Sequence, residues 1–582
     1  MKYWVIIISI FTFGPFYSKN DSILKPVVWN QISLLPDSNN YNLLFGGPGS
    51  IYRSLSFNQN QFSIFNENFL FSKEQLDMPL LISPIALVDA QYIIGDELEQ
   101  NLSLYHNQSI SSQSNYAVSF LKRSHEGYYT NQSTNHNFFQ FHYYNQKSDS
   151  SYSVFTGMKH HRIYNQQNGG LIEDTSFINN DNTISNRKIL NVNMNQSYSN
   201  EKFWKFFINQ KWSLGGGKKD TLNNVISKMI IFNTSIQKKS RTYFDSLNSN
   251  LFINNFNNEF STNDTFSIDL LSNTISYKLN YNKNSISRVL NLSLVSDFFL
   301  QKNLAIDTLL NNQSIKLNYF VNNNKNSLSL KSQYYFHGFK KSNYSFNLNF
   351  KKEFFNGITF NITGFLNEYT PVFEMNTFDS NHHFWNNNQY NKVFSSNIIS
   401  SFTFKNYALK TEYHNIENPI FFKDFGRPSQ SKASSQIVKT SLSNLTINKK
   451  FNLFSEVVYQ YQGGDQIFQL PSWIGQLKFN YIILDKKNNL RIEAGINARA
   501  FSSYYLPSYF PEINQFGIQN SFLQNEYFIV DFLMKSTIKE VVVFAMLTHL
   551  NAGLMGNNYF SSYHYPSPDR CFKFGLKWLF LD

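Results

Sequence analysis

A single cysteine, Cys571, among 582 residues excludes an intrachain disulfide and any cysteine-built metal cluster. Charge is also scarce, with Asp, Glu, Lys and Arg making up only 15% of the chain. No dense Lys/Arg run occurs, so the formal charge of +12 is spread along the chain and does not point to nucleic acid. Anionic lipid, lipopolysaccharide or a cation-lined pore remain as its reading. Long apolar runs are missing too: none approaches the ~18–20 residues a membrane helix needs. With a mean hydropathy of -0.37, a helical membrane protein is excluded.

Enzyme motifs are equally sparse. The run at 215–221 (GGGKKDT) lacks the Ser or Thr that must follow a phosphate-loop lysine, and reads as a flexible loop. No G-x-S-x-G elbow and no H-E-x-x-H helix occurs. His160 and His161, on a strand, point to opposite faces and do not share an ion. His382 and His383 fall in a long polar loop beside Phe384 and Trp385, where surface decoration is the default. The expectation is a chain with no catalytic residues, no cofactor and no metal.

What is present is aromatic and alternating. Aromatics reach 17%, with 59 Phe and 35 Tyr, residue types that suit pleated surfaces and the interfacial belts of membrane barrels. Segments of about ten residues alternate with period two, the length of a tilted membrane strand. In 490–500, Leu490, Ile492, Ala494, Ile496, Ala498 and Ala500 oppose Arg491, Glu493, Gly495, Asn497 and Arg499. The same pattern places Ile275, Tyr277, Leu279 and Tyr281 against Thr274, Ser276, Lys278 and Asn280. It recurs at 344–351 and 473–481. An unbroken apolar row against charges of both signs suits lipid outside and water inside. A barrel shows lipid only every second strand residue, which explains the low mean hydropathy.

The joints alternate in length. Short ones occur at 282–285, 321–326, 356–357 (Asn-Gly, a tight hairpin turn), 405–406, 486–489 and 538–540. Long polar loops occupy 166–185, 246–265, 370–389, 417–435 and 505–521. Short turns at one end and long loops at the other is the asymmetry of outer-membrane barrels, whose short end is periplasmic. The fold expected is a transmembrane antiparallel up-and-down β-barrel of roughly 16–22 strands. Parity is open upstream of about residue 265, where 214–224 fits a loop at either end and 51–57 and 92–94 are weak strands. At the N-terminus, Lys2 and the apolar run 4–13 before Gly14 and Pro15 read as a signal peptide, 1–18. Residues 19–49 read as a periplasmic lead-in, with Gly46-Gly47-Pro48-Gly49 as a turn, and 50–582 as the barrel.

The C-terminus carries the most specific pattern. Tyr565-Pro566-Ser567-Pro568-Asp569-Arg570 leads into Phe572-Lys573-Phe574-Gly575-Leu576-Lys577-Trp578, then Phe580 and Asp582. Upstream stand 527–532 (YFIVDF) and 549–554 (HLNAGL), and earlier 127–132 (GYYTNQ) and 168–171 (NGGL). Together these resemble the putative β-barrel porin family of bacteroidete-type Gram-negative bacteria, strongly at the end and diffusely in the middle. Ser567 and Asp569 depart from its pattern, which has Met and Gly there. The resemblance implies an outer-membrane barrel closed by Phe572, Phe574, Leu576, Trp578 and Phe580, a strand offered to the barrel-assembly machinery during insertion.

Charges inside a spanning strand are costly unless they face water or a partner. Arg491, Glu493, Arg499, Lys478, Lys410, Glu412, Asp531, Lys535, Lys573 and Lys577 are therefore the candidate pore-lining residues, either open to solute or paired across strands. The function expected is a passive channel for small polar solutes, anion-preferring if the lumen holds its share of the positive charge. The alternatives are a barrel enzyme of lipase or protease type, and a filled structural or adhesin barrel. A gated importer needs an N-terminal plug, for which alternation beginning near the signal peptide leaves little room.

Overall fold

The computed structural model describes residues 41–58, 86–179, 187–215, 218–219, 225–246, 251–252, 254–258, 260–283, 285–303, 307–354, 357–386, 390–423, 425–485 and 490–581. The chain divides after residue 42, and everything below concerns the unit 43–582. The signal-peptide reading of 1–18 and the turn at 486–489 lie outside the described residues, as does Asn356 of the Asn-Gly turn; Gly357 has the positive φ (73°) such a turn requires.

Period-two segments become strands because their β-branched and aromatic residues pack across a pleat. Twenty-two of them close into one antiparallel barrel. In chain order they are β1 Leu87–Gly95, β2 Glu99–Ser109, β3 Ser114–His125, β4 Thr134–Gln146, β5 Tyr152–Gln166, β6 Ser197–Ser213, β7 Val225–Asp245 and β8 Thr262–Lys283. Then come β9 Ile286–Lys302, β10 Asp307–Asn322, β11 Asn326–Gly338, β12 Tyr344–Glu353, β13 Ile358–Tyr369, β14 Val393–Phe404 and β15 Tyr407–Glu417. The remainder are β16 Ser435–Ile447, β17 Phe451–Gly464, β18 Trp473–Leu484, β19 Leu490–Phe501, β20 Tyr527–Ile538, β21 Val541–Thr548 and β22 Cys571–Leu581. Each pairs with the next in sequence, and β22 seals onto β1 from Leu87↔Leu581 to Gly95↔Lys573. Closure leaves no unpaired edge, the condition for crossing lipid with strands.

The two faces separate as alternation predicts. Phe572, Phe574, Leu576, Trp578 and Phe580 of β22 are exposed on the outer wall, while Lys577 and Gly575 are turned inward and buried. Ile275, Tyr277, Leu477 and Ile496 likewise face out. On β18, exposed Trp473 and Tyr481 bracket the apolar band. Eight residues apart, they stand about 26 Å apart along the strand, or about 20 Å along the normal at a ~40° tilt, so they mark two interfacial belts.

The strand count is the upper end of the expected range, and the parity left open upstream is resolved. The end of β6 at Ser213 and the start of β7 at Val225 lie at the short-turn end, and 92–94 lie within β1. Among the described residues, the first strand of the barrel wall is Leu87–Gly95. Tyr52–Ser54 belongs to a two-stranded sheet separate from the barrel. Residues 43–57, with the turn Gly46-Gly47-Pro48-Gly49, lie inside the lumen at its long-loop end, hydrogen-bonded to Gln132, Thr134 and Gln460. Weak alternation at 51–57 has a physical reason: a segment inside the lumen has no lipid face to keep apolar.

Candidate functional site: a polar lumen capped at its long-loop end

Register places every candidate pore-lining residue on the inner face. Most of those cations are paired with acids on the same or neighbouring strands. Glu493 accepts from Lys535 Nζ and Arg491 Nε (both 3.0 Å), and Asp531 from Arg499 (3.2 Å). Glu412 meets Lys410 (2.8 Å), Lys439 (3.1 Å) and His414 (3.1 Å). At the seam, Lys573 reaches Glu99 (2.8 Å) on β2 and Lys577 reaches Asp89 (3.3 Å) on β1. Lys478 lies over the Phe454 ring at 5.7 Å. Sequence reading missed the partners Asp89, Glu99 and Lys439, although each stands on the polar row of an alternating segment.

The long-loop end is filled. Residues 43–57 form a strap running from β3–β4 on one wall to β16–β17 on the other. Gln132 Nε2 donates to Phe45 O (2.7 Å) and Thr134 Oγ1 to Pro48 O (2.9 Å). At the far wall Phe57 N donates to Gln460 Oε1 (2.7 Å), Gln460 Nε2 to Leu55 O (2.9 Å) and Lys439 Nζ to Phe57 O (3.1 Å). Gly47 and Gly49 are required at the turn: a Cβ on Gly47 would stand 2.1 Å from the His125 ring, and Gly49 combines φ +86° with a 2.6 Å approach to His136. Burial lowers Arg53 to about 10, still charged at neutral pH; its guanidinium donates to the Gln469 carbonyl.

The loop 502–526, between β19 and β20, reaches the opposite wall. Arg241 of β7, fully buried, donates to the carbonyls of Glu512 and Pro511 (both 2.6 Å), with Glu201 at 3.9 Å from its Nε. His383, from 370–392, holds the Glu512 carboxylate (2.7 Å), while His382 meets Thr262 (2.8 Å) and stacks on Phe252. Strap, loops and wall share an apolar core that includes Phe57, Met375, Phe378, Trp385, Phe422, Phe468 and Ile513. Each such side chain contributes roughly 1.5–3 kcal/mol by burial. The cap is thus a packed core. The His pairs diverge: His160 stacks outside on Trp204 whereas His161 is buried inside. Among the described residues no His/Cys/Asp/Glu group is arranged for a metal ion.

The loop 549–570 ties the cap to the seam. Asp569 receives Arg187 Nε (2.7 Å) and the Tyr559 hydroxyl, so this departure from the expected Gly is matched by a cation on the loop 167–196. Ser567 shares a hydrogen bond with Ser561 (2.7 Å). Burial, with Asp569 adding to it, pushes the Tyr559 hydroxyl well up, and burial raises Tyr504 to about 12. His549 lies between the Tyr527 hydroxyl (2.8 Å) and the Pro568 carbonyl (2.7 Å), and burial lowers its pKa.

A family model described as putative porin matches residues 18–582. No curated protein matched. Solved structures share the fold at low identity. The ferric-catecholate import receptor Fiu of E. coli K12 is 11% identical over 86% of this chain and 82% of that one, with a TM-score of 0.58. The ferripyoverdine receptor of Pseudomonas aeruginosa is 10% identical over 86% and 72% (TM-score 0.58). The copper transporter OprC is 8% identical over 86% and 82% (TM-score 0.60).

Proposed function

The chain belongs to the putative porin family, and from that premise we propose that it is a non-enzymatic outer-membrane channel for small polar solutes, closed in this conformation at its long-loop mouth. In this reading the long-loop end faces outward, lipid and lipopolysaccharide surround the wall, and the short turns are periplasmic. The observation that carries it is the contrast along one lumen. Below the cap the inner face is polar and solvent-reached, with Lys410 and Arg491 side chains 45% and 40% exposed; above, strap and loops are packed shut. A filled structural barrel would have no reason to keep its lower half wet.

Solute passage then requires the strap or the 502–526 loop to move. The test is planar-bilayer recording of full-length protein beside Gln460→Ala and Arg241→Ala, which release the two crossing segments. Discrete conductance steps, more frequent in the variants, are the expected outcome. Folded protein that stays silent in all three forms ends the channel reading. A second reading, an import receptor, draws on the filled mouth and on the fold shared with the import receptors and copper transporter above. It predicts tight binding of a solute at the outer cap and no passive conductance after release.

A further inference from the structure

Resting on the outward orientation of the long-loop end proposed above, and not on conduction, we propose that the outer wall of β5–β7 holds the phosphorylated sugar headgroup of lipopolysaccharide through Arg162, Lys202 and Lys238.

Depth in the wall is the first observation. On β6 the outward row reads Trp204, Phe206, Ile208, Gln210 and Trp212, and its large apolar members are exposed. Trp204 and Trp212 are eight residues apart, as are the two belt residues of β18, so Trp204 marks the belt nearer the long loops. The His160 ring stacks on it at 3.8 Å. Lys202 stands two residues beyond, about 7 Å along the strand, or about 5 Å along the normal at a ~40° tilt. That is headgroup level, just outside the hydrocarbon.

Register then gathers the cations. Arg162 of β5 lies directly opposite Lys202, and Lys238 of β7 directly opposite Trp204, which makes Lys202 and Lys238 diagonal neighbours. Opposed Cβ atoms are about 5 Å apart and diagonal ones about 7–8 Å, so one phosphate can meet two of these groups. Like charges set opposite one another repel, and a lipid-facing cation is costly without an anion. Arg162 Nε donates to Asn200 (3.4 Å), a neutral group, and Lys238 meets Asp269 at 3.9 Å. Among the described residues, Asp269 is the only acid on the outer face of β3–β8. Three cations against one acid leave a net positive charge that a phosphate completes. Asn137, Asn200 and Ser240 share this face and suit the hydroxyls of a sugar.

The patch is also one-sided. Among the described residues, the outer face of β10–β22, β1 and β2 carries no Lys or Arg except Lys352, at the short-turn end of β12. A general attraction for anionic lipid would spread cations around the wall. Confined to one sector at one depth, they mark a site.

The test uses full-length protein purified in detergent, with Arg162, Lys202 and Lys238 all changed to Gln. Calorimetric titration with phosphorylated lipid A, the headgroup-bearing part of lipopolysaccharide, should show one site in the parent, weakened roughly a hundredfold in the triple variant. Changing Lys228 and Arg288 to Gln, two outward cations at the short-turn end, should leave the affinity unmoved. Lipid A stripped of phosphate, phosphatidylglycerol and inorganic phosphate should each bind about tenfold or more weakly than intact lipid A. A triple variant that binds like the parent overturns the site. So does an equal loss in the short-turn variant, or equal binding by any of the three other probes. Orientation is read separately on intact cells: Phe260, 82% exposed in the loop between β7 and β8, is changed to Cys and should react with a membrane-impermeant maleimide. A folded Phe260→Cys protein that stays unlabelled overturns the orientation, and with it the reading above. Normal labelling with a triple variant that binds like the parent overturns the site alone. Silent bilayers end the channel reading and leave the binding result standing.

Discussion

At the scale of single residues, the mouth depends on a few side chains that cross it. Arg241 satisfies two backbone carbonyls of the 502–526 loop from a fully buried position. Arg241→Ala leaves both unpaired in an apolar core, a loss of about 3 kcal/mol. Hydrogen exchange over 505–518 should accelerate by roughly a hundredfold while exchange in the wall strands stays unchanged. His549 gives the cap a pH dependence. Its pKa is lowered from 6.5 by burial, so the unfolded loop binds more protons below about pH 6.5 and stability is lost as pH falls. The loop 549–570 should hold firmly at pH 7.5 and exchange faster at pH 5.5, and His549→Gln should flatten that response. Neither role was legible in the sequence. Arg241 is one polar residue in an alternating strand, and nothing local indicates what it meets across the lumen.

At the scale of elements, the closing strand was legible because its information is local. The aromatic row of β22 is written at alternate positions and needs only pairing to face lipid. Its inner row adds what sequence could not assign, namely the acids opposite. Lys573→Ala strands Glu99, which is 3% exposed, without its partner. The expected cost is about 3 kcal/mol, read as a lower temperature for loss of the compact, fast-migrating form on electrophoresis. Gly575 is constrained for another reason: a Cβ there would stand 2.3 Å from the Phe544 ring. Gly575→Ala should lower the same midpoint by an amount matching about 1–3 kcal/mol of overpacking. Both effects belong to the seam, and the equivalent changes far from it should be milder.

At the scale of the molecule, the inside–outside assignment has a direct check on adjacent residues. Ile275 faces out and is half exposed, while Thr274 faces the lumen. Ile275→Arg should cost about 2–4 kcal/mol and reduce the folded yield in lipid, whereas Thr274→Arg should be close to neutral. Equal effects would contradict the assignment of faces. The whole-molecule arrangement also recasts the plug. The fifteen residues of the strap, 43–57, and the loops packed against it form the cap.

Sequence alone determined the barrel, its closing strand, the alternation of faces and the two kinds of joint, because a strand in a membrane wall is a local object. Its lipid face must be apolar, its inner face polar, and its turns short or long, whatever lies across the lumen. Only the tertiary structure decided the strand number, the position of 43–57 in the mouth and the partners of the lumen charges. These depend on which strands become neighbours around the closed wall and on contacts between residues up to several hundred positions apart, such as Phe57 with Gln460. Period-two patterning carries no record of such pairs: it states which way a side chain points and leaves open what it will find there.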